Sequence, residues 1–154
     1  MFQITKRTIF IFLIAISISG CGYTAQYGKI NSLNFSINLI NFSGDRDFNN
    51  AIKSKLNTYN KNSDKNFEIK FTSKYEKRIT LKDSSGAAKE YELKISVNFN
   101  ITHDGQEKDI KMIETFKMQK IDDGFEESNY ERSIKNNFAE NISQRLVNYL
   151  FQIK

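Results

Sequence analysis

The 154-residue chain has few of the residues that build catalytic, metal or cross-linked sites: it contains one cysteine and one histidine, and no proline or tryptophan. One cysteine cannot form a disulfide within the chain, and with one histidine it cannot complete a zinc or copper site. The seven glycines form neither a phosphate-binding loop nor a G-x-S-x-G elbow. The acidic pairs at 122–123 and 126–127 lack the alternating spacing of a calcium-binding loop. His103, beside the predicted 104–105 turn, has no nucleophile partner, so we interpret it as a solvated loop residue. We expect no enzyme, no catalytic residue and no bound metal.

The positive charge of the chain is modest and says little about a partner. The formal net charge is +5, but two of the 23 basic residues fall in the first twenty positions, leaving 21 basic against 18 acidic side chains. The missing proline and the abundance of Lys, Asn, Ile and Phe indicate the codon bias of an AT-rich genome. Basic residues do not cluster with interleaved aromatic residues, so we expect no nucleic-acid partner.

The single cysteine, Cys21, follows the pattern of a bacterial export signal. A positive start at 6–7 precedes an apolar run at 8–18 that is too short to span a membrane, and small residues lie at 19–20. A cysteine directly after this pair predicts a lipobox, in which residues 1–20 are removed as a signal peptide and Cys21 is acylated. The attached groups would be an N-acyl chain such as palmitate and an S-diacylglycerol, and we expect no other cofactor. The alternatives are an ordinary signal with a stray cysteine or an uncleaved anchor.

Hydrophobic periodicity beyond the predicted tether, residues 21–32, indicates one domain over residues 33–154. Alternating apolar residues predict four strands, and apolar residues three or four positions apart predict two helices, in the order β-α-β-β-β-α. The predicted elements are a strand at 33–39, a helix at 48–59, a loop at 60–66, strands at 67–81, 91–101 and 110–118, and a helix that follows a Ser128-x-x-Glu131 capping box and reaches residue 150.

We expect an α+β two-layer sandwich, in which a four-stranded mixed sheet carries both helices on one face. A strand–helix–strand start favours a right-handed crossover with the first two strands parallel, and each helix has one apolar face to bury. The opposite sheet face would then be polar and would meet water or a hydrophilic partner. Its predicted residues are Lys70, Thr72, Lys74, Glu76, Lys94, Ser96, Asn98 and Asn100.

Basic residues crowd the strand at 67–81 and the hairpin that follows it. They are Lys74, Lys77, Arg78, Lys82 and Lys89. Lysine and arginine bind phosphate through charge-assisted hydrogen bonds, which would suit a phosphorylated glycolipid. Lysine also protects a solvated strand edge against aggregation. Spacing alone leaves both interpretations open.

The lipobox, the Gly22-Tyr23 pair after it and a body that ends in a long amphipathic helix together resemble the LptE family of lipopolysaccharide-assembly lipoproteins. Residues 21–28 are similar to the acylated Cys-Gly-aromatic start of the family. Residues 89–93 resemble the point where its third strand leaves the hairpin, and residues 129–150 resemble its closing helix. The resemblance implies a non-catalytic protein anchored in the periplasmic leaflet of the outer membrane. There it would plug the LptD β-barrel, assist its assembly and help deliver lipopolysaccharide to the outer leaflet.

The resemblance also implies a contact site for lipopolysaccharide. In the family, a basic residue at the end of the second strand, just before the turn, is implicated in this contact, and Lys82 is the best match here. Arg78 and Lys89 are further candidates. The alternative function is a periplasm-facing lipoprotein that binds a small ligand or an envelope polymer, which predicts a concave apolar pocket.

Overall fold

The predicted order of helices and strands is confirmed by a computed structural model, which describes residues 35–59, 63 and 65–153. The elements are β1 (Phe35–Ser43), α1 (Arg46–Leu56) with a 3-10 turn (Asn57–Tyr59), β2 (Lys65–Lys82), β3 (Ala88–His103), β4 (Gln106–Gln119) and α2 (Gly124–Gln152). The loop predicted up to residue 66 ends earlier, because β2 begins at Lys65. Cys21, the predicted signal peptide and the predicted tether lie outside the described residues.

The four strands form one mixed sheet in the order β1-β2-β3-β4. β1 runs parallel to β2, as the helical crossover between them requires, and the β2–β3 and β3–β4 hairpins are antiparallel. β1 carries a bulge at Ile40 and pairs only with Lys65–Thr72 of β2. The second half of β2, from Ser73 to Lys82, therefore has no strand on its outer side within the described part of the chain.

The core lies between the sheet and the two helices, and the strict alternation of β3 defines it. The odd-numbered side chains of β3 that point toward the helices are at most 2% exposed: Leu93, Ile95, Val97, Phe99 and Ile101. The helices add the buried side chains Phe48, Ile52 and Leu56 from α1 and Ile134, Phe138, Ile142 and Leu146 from α2. Burying one such side chain contributes about 1.5–3 kcal/mol. The predicted sandwich with both helices on one face is confirmed.

The start of α2 differs from the prediction. We expected the helix to follow the Ser128-x-x-Glu131 motif, but α2 begins at Gly124, and Asp123 is its N-cap. The Asp123 carboxylate accepts the backbone N–H groups of Phe125 and Glu126 at 2.8 and 2.9 Å. These contacts satisfy backbone N–H groups at a helix start that lies five residues before the predicted N-cap, Ser128. Ser128 and Glu131 therefore lie inside the helix, and the capping-box assignment was wrong.

The link between β1 and α1 lies directly against β2. Gly44 has a φ of +108°, and a Cβ there would lie 1.8 Å from the carbonyl oxygen of Ser73. The next residue, Asp45, donates its backbone N–H to Ser73 Oγ at 3.0 Å, and its carboxylate caps α1 through the N–H of Phe48. Ser73 Oγ donates in turn to Asn49 Oδ1 at 2.7 Å. The polar Ser73 on the apolar face of β2 is therefore the acceptor that holds this link.

Candidate functional site

The end of the β2–β3 hairpin projects beyond the rest of the sheet. Backbone hydrogen bonding from the β4 side reaches Lys89 through the N–H of Lys120, whereas β2 and β3 continue to the Lys82–Ala88 pair and the turn between them. The Asp83 carboxylate holds that turn by accepting the hydroxyl and the N–H of Ser85 and the N–H of Ala87. These hydrogen bonds, first of all that of the Ser85 hydroxyl, lower the pKa of Asp83. The hairpin end is thus a locally ordered projection.

Two of the three candidate basic residues flank the same turn. Lys82 ends β2 and Lys89 lies next to its cross-strand partner Ala88, so both side chains belong to the hairpin end, and both are exposed. Among the residues that the structure describes, no carboxylate lies within 4.0 Å of either ammonium group. Arg78 lies four residues before Lys82, about 13 Å along the strand. Its guanidinium is paired with Glu92 at 2.8 Å.

Apolar side chains accompany the two lysines. Ile79 and Leu81 on β2 are 50% and 52% exposed. They belong to the stretch of β2 that reaches beyond the core, where the register with β3 is also shifted on either side of Leu81. Free ammonium groups beside exposed aliphatic side chains match a ligand that carries both phosphate and acyl chains. The hairpin end therefore combines exposed basic and exposed aliphatic side chains.

Lys77, which the sequence placed among the anion-binding candidates, is committed to a different role. Its Nζ donates to Glu127 and Glu131 of α2 at 2.9 Å each and lies 4.4 Å from the ring centroid of Tyr91. Lys120 Nζ contacts the same Glu127 at 2.8 Å. Hydrogen bonds from Lys120 and Lys77 lower the pKa of Glu127 to about 2. This cluster joins the first turns of α2 to the base of the hairpin.

A second contact outside the prediction joins α2 to the start of α1. Lys135 Nζ pairs with the Asp45 carboxylate at 2.9 Å and lies 4.1 Å from the ring centroid of Tyr75. Tyr75 donates its hydroxyl to Glu131 at 2.8 Å, and burial together with this acceptor raises the pKa of Tyr75. The partners are separated by 56 to 90 positions in the chain, so no local sequence signal could have paired them.

His103 is a structural residue. It ends β3, its ring centroid lies 4.4 Å from that of Phe67, and its Nδ1 lies 2.9 Å from the carbonyl oxygen of Asn66. Its side chain is 15% exposed, so the interpretation as a solvated loop residue was wrong. Across residues 35–59, 63 and 65–153, no group of three His, Cys, Asp or Glu side chains could hold a metal ion.

The sheet face opposite the helices is mostly polar, with Ile113 as an exposed apolar side chain on β4. Charges of both signs alternate along it, with ion pairs between Lys74 and Glu76 at 3.2 Å and between Arg78 and Glu92 at 2.8 Å. A shallow, open depression of about 490 Å³ lies on this face. Its polar lining side chains are Asn41, Lys70, Thr72, Asn98, Asp109 and Lys111. In the described part of the chain, neither helix is long and apolar enough to cross a bilayer.

Comparisons with known proteins give one family match, from a family model, and a shared fold, from solved structures. The model of the family described as "LptE: Lipopolysaccharide-assembly" matches residues 34–150. Among solved structures, rare lipoprotein B from Shewanella oneidensis is similar, with a TM-score of 0.52 and 16% identity over 73% of this chain and 96% of that one. A lipoprotein from Caulobacter crescentus is similar with a TM-score of 0.51 and 12% identity over 75% and 87% of the two chains. At identities this low, the two structural matches show a shared fold. A search of curated proteins finds no match.

Proposed function

Because the chain belongs to the LptE family of lipopolysaccharide-assembly proteins, we propose that it acts as the plug of an LptD-type β-barrel. In this role it supports assembly of the barrel and helps pass lipopolysaccharide to the outer leaflet, without catalysing a reaction. Residues 33–154 form the domain that enters the barrel, and residues 21–32 tether it to the membrane. The acylated Cys21 anchors the chain in the periplasmic leaflet of the outer membrane.

The observation that carries this proposal is the polar sheet face. One face of the sheet is covered by α1 and α2, and the other presents mainly charges, amides and hydroxyls, with the charged side chains on β2, β3 and β4. The interior of an outer-membrane barrel is polar and water-filled, so a surface that satisfies its own charges can enter it without losing solvation. The ion pairs Lys74–Glu76 and Arg78–Glu92 meet that condition for part of the described face.

The hairpin end supports the proposal that the chain helps pass lipopolysaccharide to the outer leaflet. Lys82 and Lys89 offer point charges to phosphate, and Ile79 and Leu81 offer apolar surface to acyl chains. Lysine supplies the charge but not the bidentate fork of arginine, so each lysine would contact phosphate as a point charge. Arg78 is a weaker candidate because Glu92 already neutralises it.

The alternative, a binder of a small ligand, receives no support from the described surface. Pockets for small molecules enclose most of the ligand and are lined mainly by apolar side chains. The depression on the polar face is open, and eight of its twelve lining residues are polar. It fits a wide hydrophilic partner better than an enclosed ligand.

A pull-down of the acylated protein from detergent-solubilised envelope tests the proposal. We expect a large outer-membrane barrel protein to co-purify at near-equal stoichiometry. Recovery of the lipoprotein alone, under conditions that keep other barrel complexes intact, would refute the barrel partnership.

A second measurement isolates the hairpin. The double variant Lys82→Ala/Lys89→Ala is expected to keep the barrel but to bind purified lipopolysaccharide at least about tenfold more weakly, because two charge-assisted contacts are lost. Lys53→Ala, at an exposed lysine of α1 away from the hairpin, is the matched control. Equal binding by the double variant and the control would remove the hairpin from the lipopolysaccharide contact.

A further inference from the structure

The outer edge of β4 is the longest uninterrupted strand edge that the structure describes. β4 is the last strand of the sheet and pairs with β3 from Gln106 to Gln119 without a register shift. The other edges are interrupted, because β1 bulges at Ile40 and the open half of β2 shifts register around Leu81. Bulges blunt a strand edge against pairing. β4 has none.

The backbone groups that face outward from β4 can be identified. The N–H of Lys120 donates to the carbonyl oxygen of Lys89 at 2.9 Å, so the even-numbered positions of this strand bond toward β3. In an antiparallel ladder the odd-numbered positions then point their N–H and C=O groups away from β3. Arg145 confirms this direction, since its Nη1 reaches the carbonyl oxygen of Ile113 at 3.3 Å from the open side. Positions 107–119 thus present a regular row of donors and acceptors.

The side chains of β4 are complementary to those of a second, antiparallel β4. When Ile113 lies opposite Ile113 of a second copy, Asp109 lies opposite Lys117 of that copy, and Ile110 lies opposite Phe116. Positions 107–119 overlap over their whole length in this register, and each outward-facing position meets another outward-facing position. Ile113 and Phe116, which are 41% and 40% exposed in the single chain, would both meet apolar partners.

Neighbouring registers are less complementary. A shift of the symmetry point to Met112 places Ile113 opposite Lys111. A shift to Glu114 places Lys111 opposite Lys117 and Glu114 opposite itself, and like charges directly opposite destabilise an antiparallel pair. The charge pattern therefore selects the register centred on Ile113, which is also the one with full overlap.

We propose that β4 pairs with β4 of a second copy of this chain, giving an eight-stranded sheet with a twofold axis through Ile113. The axis is perpendicular to the sheet, so the helices of both copies lie on one face and the polar faces join on the other. Arg145 stabilises the interface between the two β4 strands. Its Nη1 lies 2.7 Å from the Glu114 carboxylate, which would otherwise enter the interface without a cationic partner. The Ile113 carbonyl oxygen retains a second lone pair for the ladder. The pairing concerns the lipoprotein outside the barrel and does not depend on the barrel partnership; a copy that enters a barrel one to one leaves the pair.

A charge exchange tests the pairing in the full-length acylated protein in detergent micelles. Sedimentation velocity over a range of concentrations should show a monomer–dimer equilibrium for the wild type. Asp109→Lys and Lys117→Asp should each weaken dimerisation by about tenfold or more, because two symmetry-related pairs change from opposite to like charge. The double variant Asp109→Lys/Lys117→Asp should restore it, which also shows that the single variants fold. A wild type that stays monomeric at every concentration, or a double variant that fails to recover, would overturn the proposal.

Cysteine cross-linking tests the register. Directly opposite, hydrogen-bonded residues have Cα atoms about 5.5 Å apart, within the range of a disulfide, so oxidised Ile113→Cys should form a covalent dimer. Gln119 is on the same outward-facing row, but Gln119 of the second copy lies twelve positions away along the strand, about 40 Å. Oxidised Gln119→Cys should therefore form no covalent dimer. The wild type, oxidised in parallel, reports any contribution from Cys21, the only native cysteine. Equal cross-linking at the two positions would refute the assigned register.

Discussion

Replacing Gly44 with alanine is expected to destabilise the protein far more than the same change at Gly86, although both glycines have a positive φ. The φ values are +108° and +86°, and a left-handed conformation costs an L residue about 1–2 kcal/mol. The difference between the sites is space. A Cβ at Gly44 would lie 1.8 Å from the carbonyl oxygen of Ser73, whereas a Cβ at Gly86 would meet no atom within 4 Å.

The cost at Gly44 follows from the contacts that must move. Relieving the clash displaces the β1–α1 link from β2 and breaks the hydrogen bond from the Asp45 N–H to Ser73 Oγ at 3.0 Å, worth about 1 kcal/mol. It also disturbs the buried Ser73–Asn49 hydrogen bond, and leaving such groups unsatisfied costs about 1–3 kcal/mol. With the φ strain, the expected loss is about 3–6 kcal/mol, comparable with the whole stability of a small domain, about 5–15 kcal/mol.

Urea denaturation followed by circular dichroism measures both variants against the wild type. Gly86→Ala should lose about 1–2 kcal/mol of unfolding free energy and Gly44→Ala the larger amount, with unchanged slopes of free energy against urea. A loss at Gly44 no greater than that at Gly86 would refute the close approach of this link to β2.

Two further predictions concern the first turns of α2. Asp123→Ala should lower the unfolding free energy by about 1 kcal/mol and Ser128→Ala should be near neutral, because Asp123 is the N-cap; equal losses in urea denaturation would contradict this helix start. Hydrogen bonds from Lys120 and Lys77 lower the pKa of Glu127 from 4.5 to about 2, so their stabilisation is present above pH 4.5 and is lost as the pH falls through about 2. Over this range the wild type should lose about 1 kcal/mol more than Glu127→Gln, an amount kept small by solvent screening. Parallel pH profiles in the same assay would refute the linkage.

Much of the fold could be predicted because two periodicities dominate the chain. The alternation from Tyr91 to Ile101 fixes which face of β3 is buried, and the helical stripe from Ile134 to Leu150 fixes the buried face of α2. One parallel and two antiparallel pairings then follow from connection lengths and crossover handedness. Local pattern and global packing agree here, which is why the prediction succeeds.

The errors arose where two local signals competed or where a polar residue had a distant partner. The prediction rested on the Ser128-x-x-Glu131 motif, whereas the structure caps the helix with the single aspartate Asp123. Ser73 and Lys77 looked like interruptions of an apolar strand. Their partners, Asn49 on α1 and Glu127 and Glu131 on α2, lie 24 to 54 positions away in the chain, and only tertiary packing brings them into contact.

The basic run on β2 combines both of the interpretations that its spacing left open. Lys74, Lys77 and Arg78 each have a carboxylate partner within 3.2 Å, and they belong to the half of β2 that has no neighbouring strand on its outer side in the described chain. Basic side chains on such an edge oppose strand addition, so this part of the run fits a protected edge. Lys82 and Lys89 differ from them, because they flank the turn and have no carboxylate within 4.0 Å among the described residues. The proposal of an anion site at the hairpin end therefore depends on the positions of these two ammonium groups. The modest net charge of the chain gives it no further support.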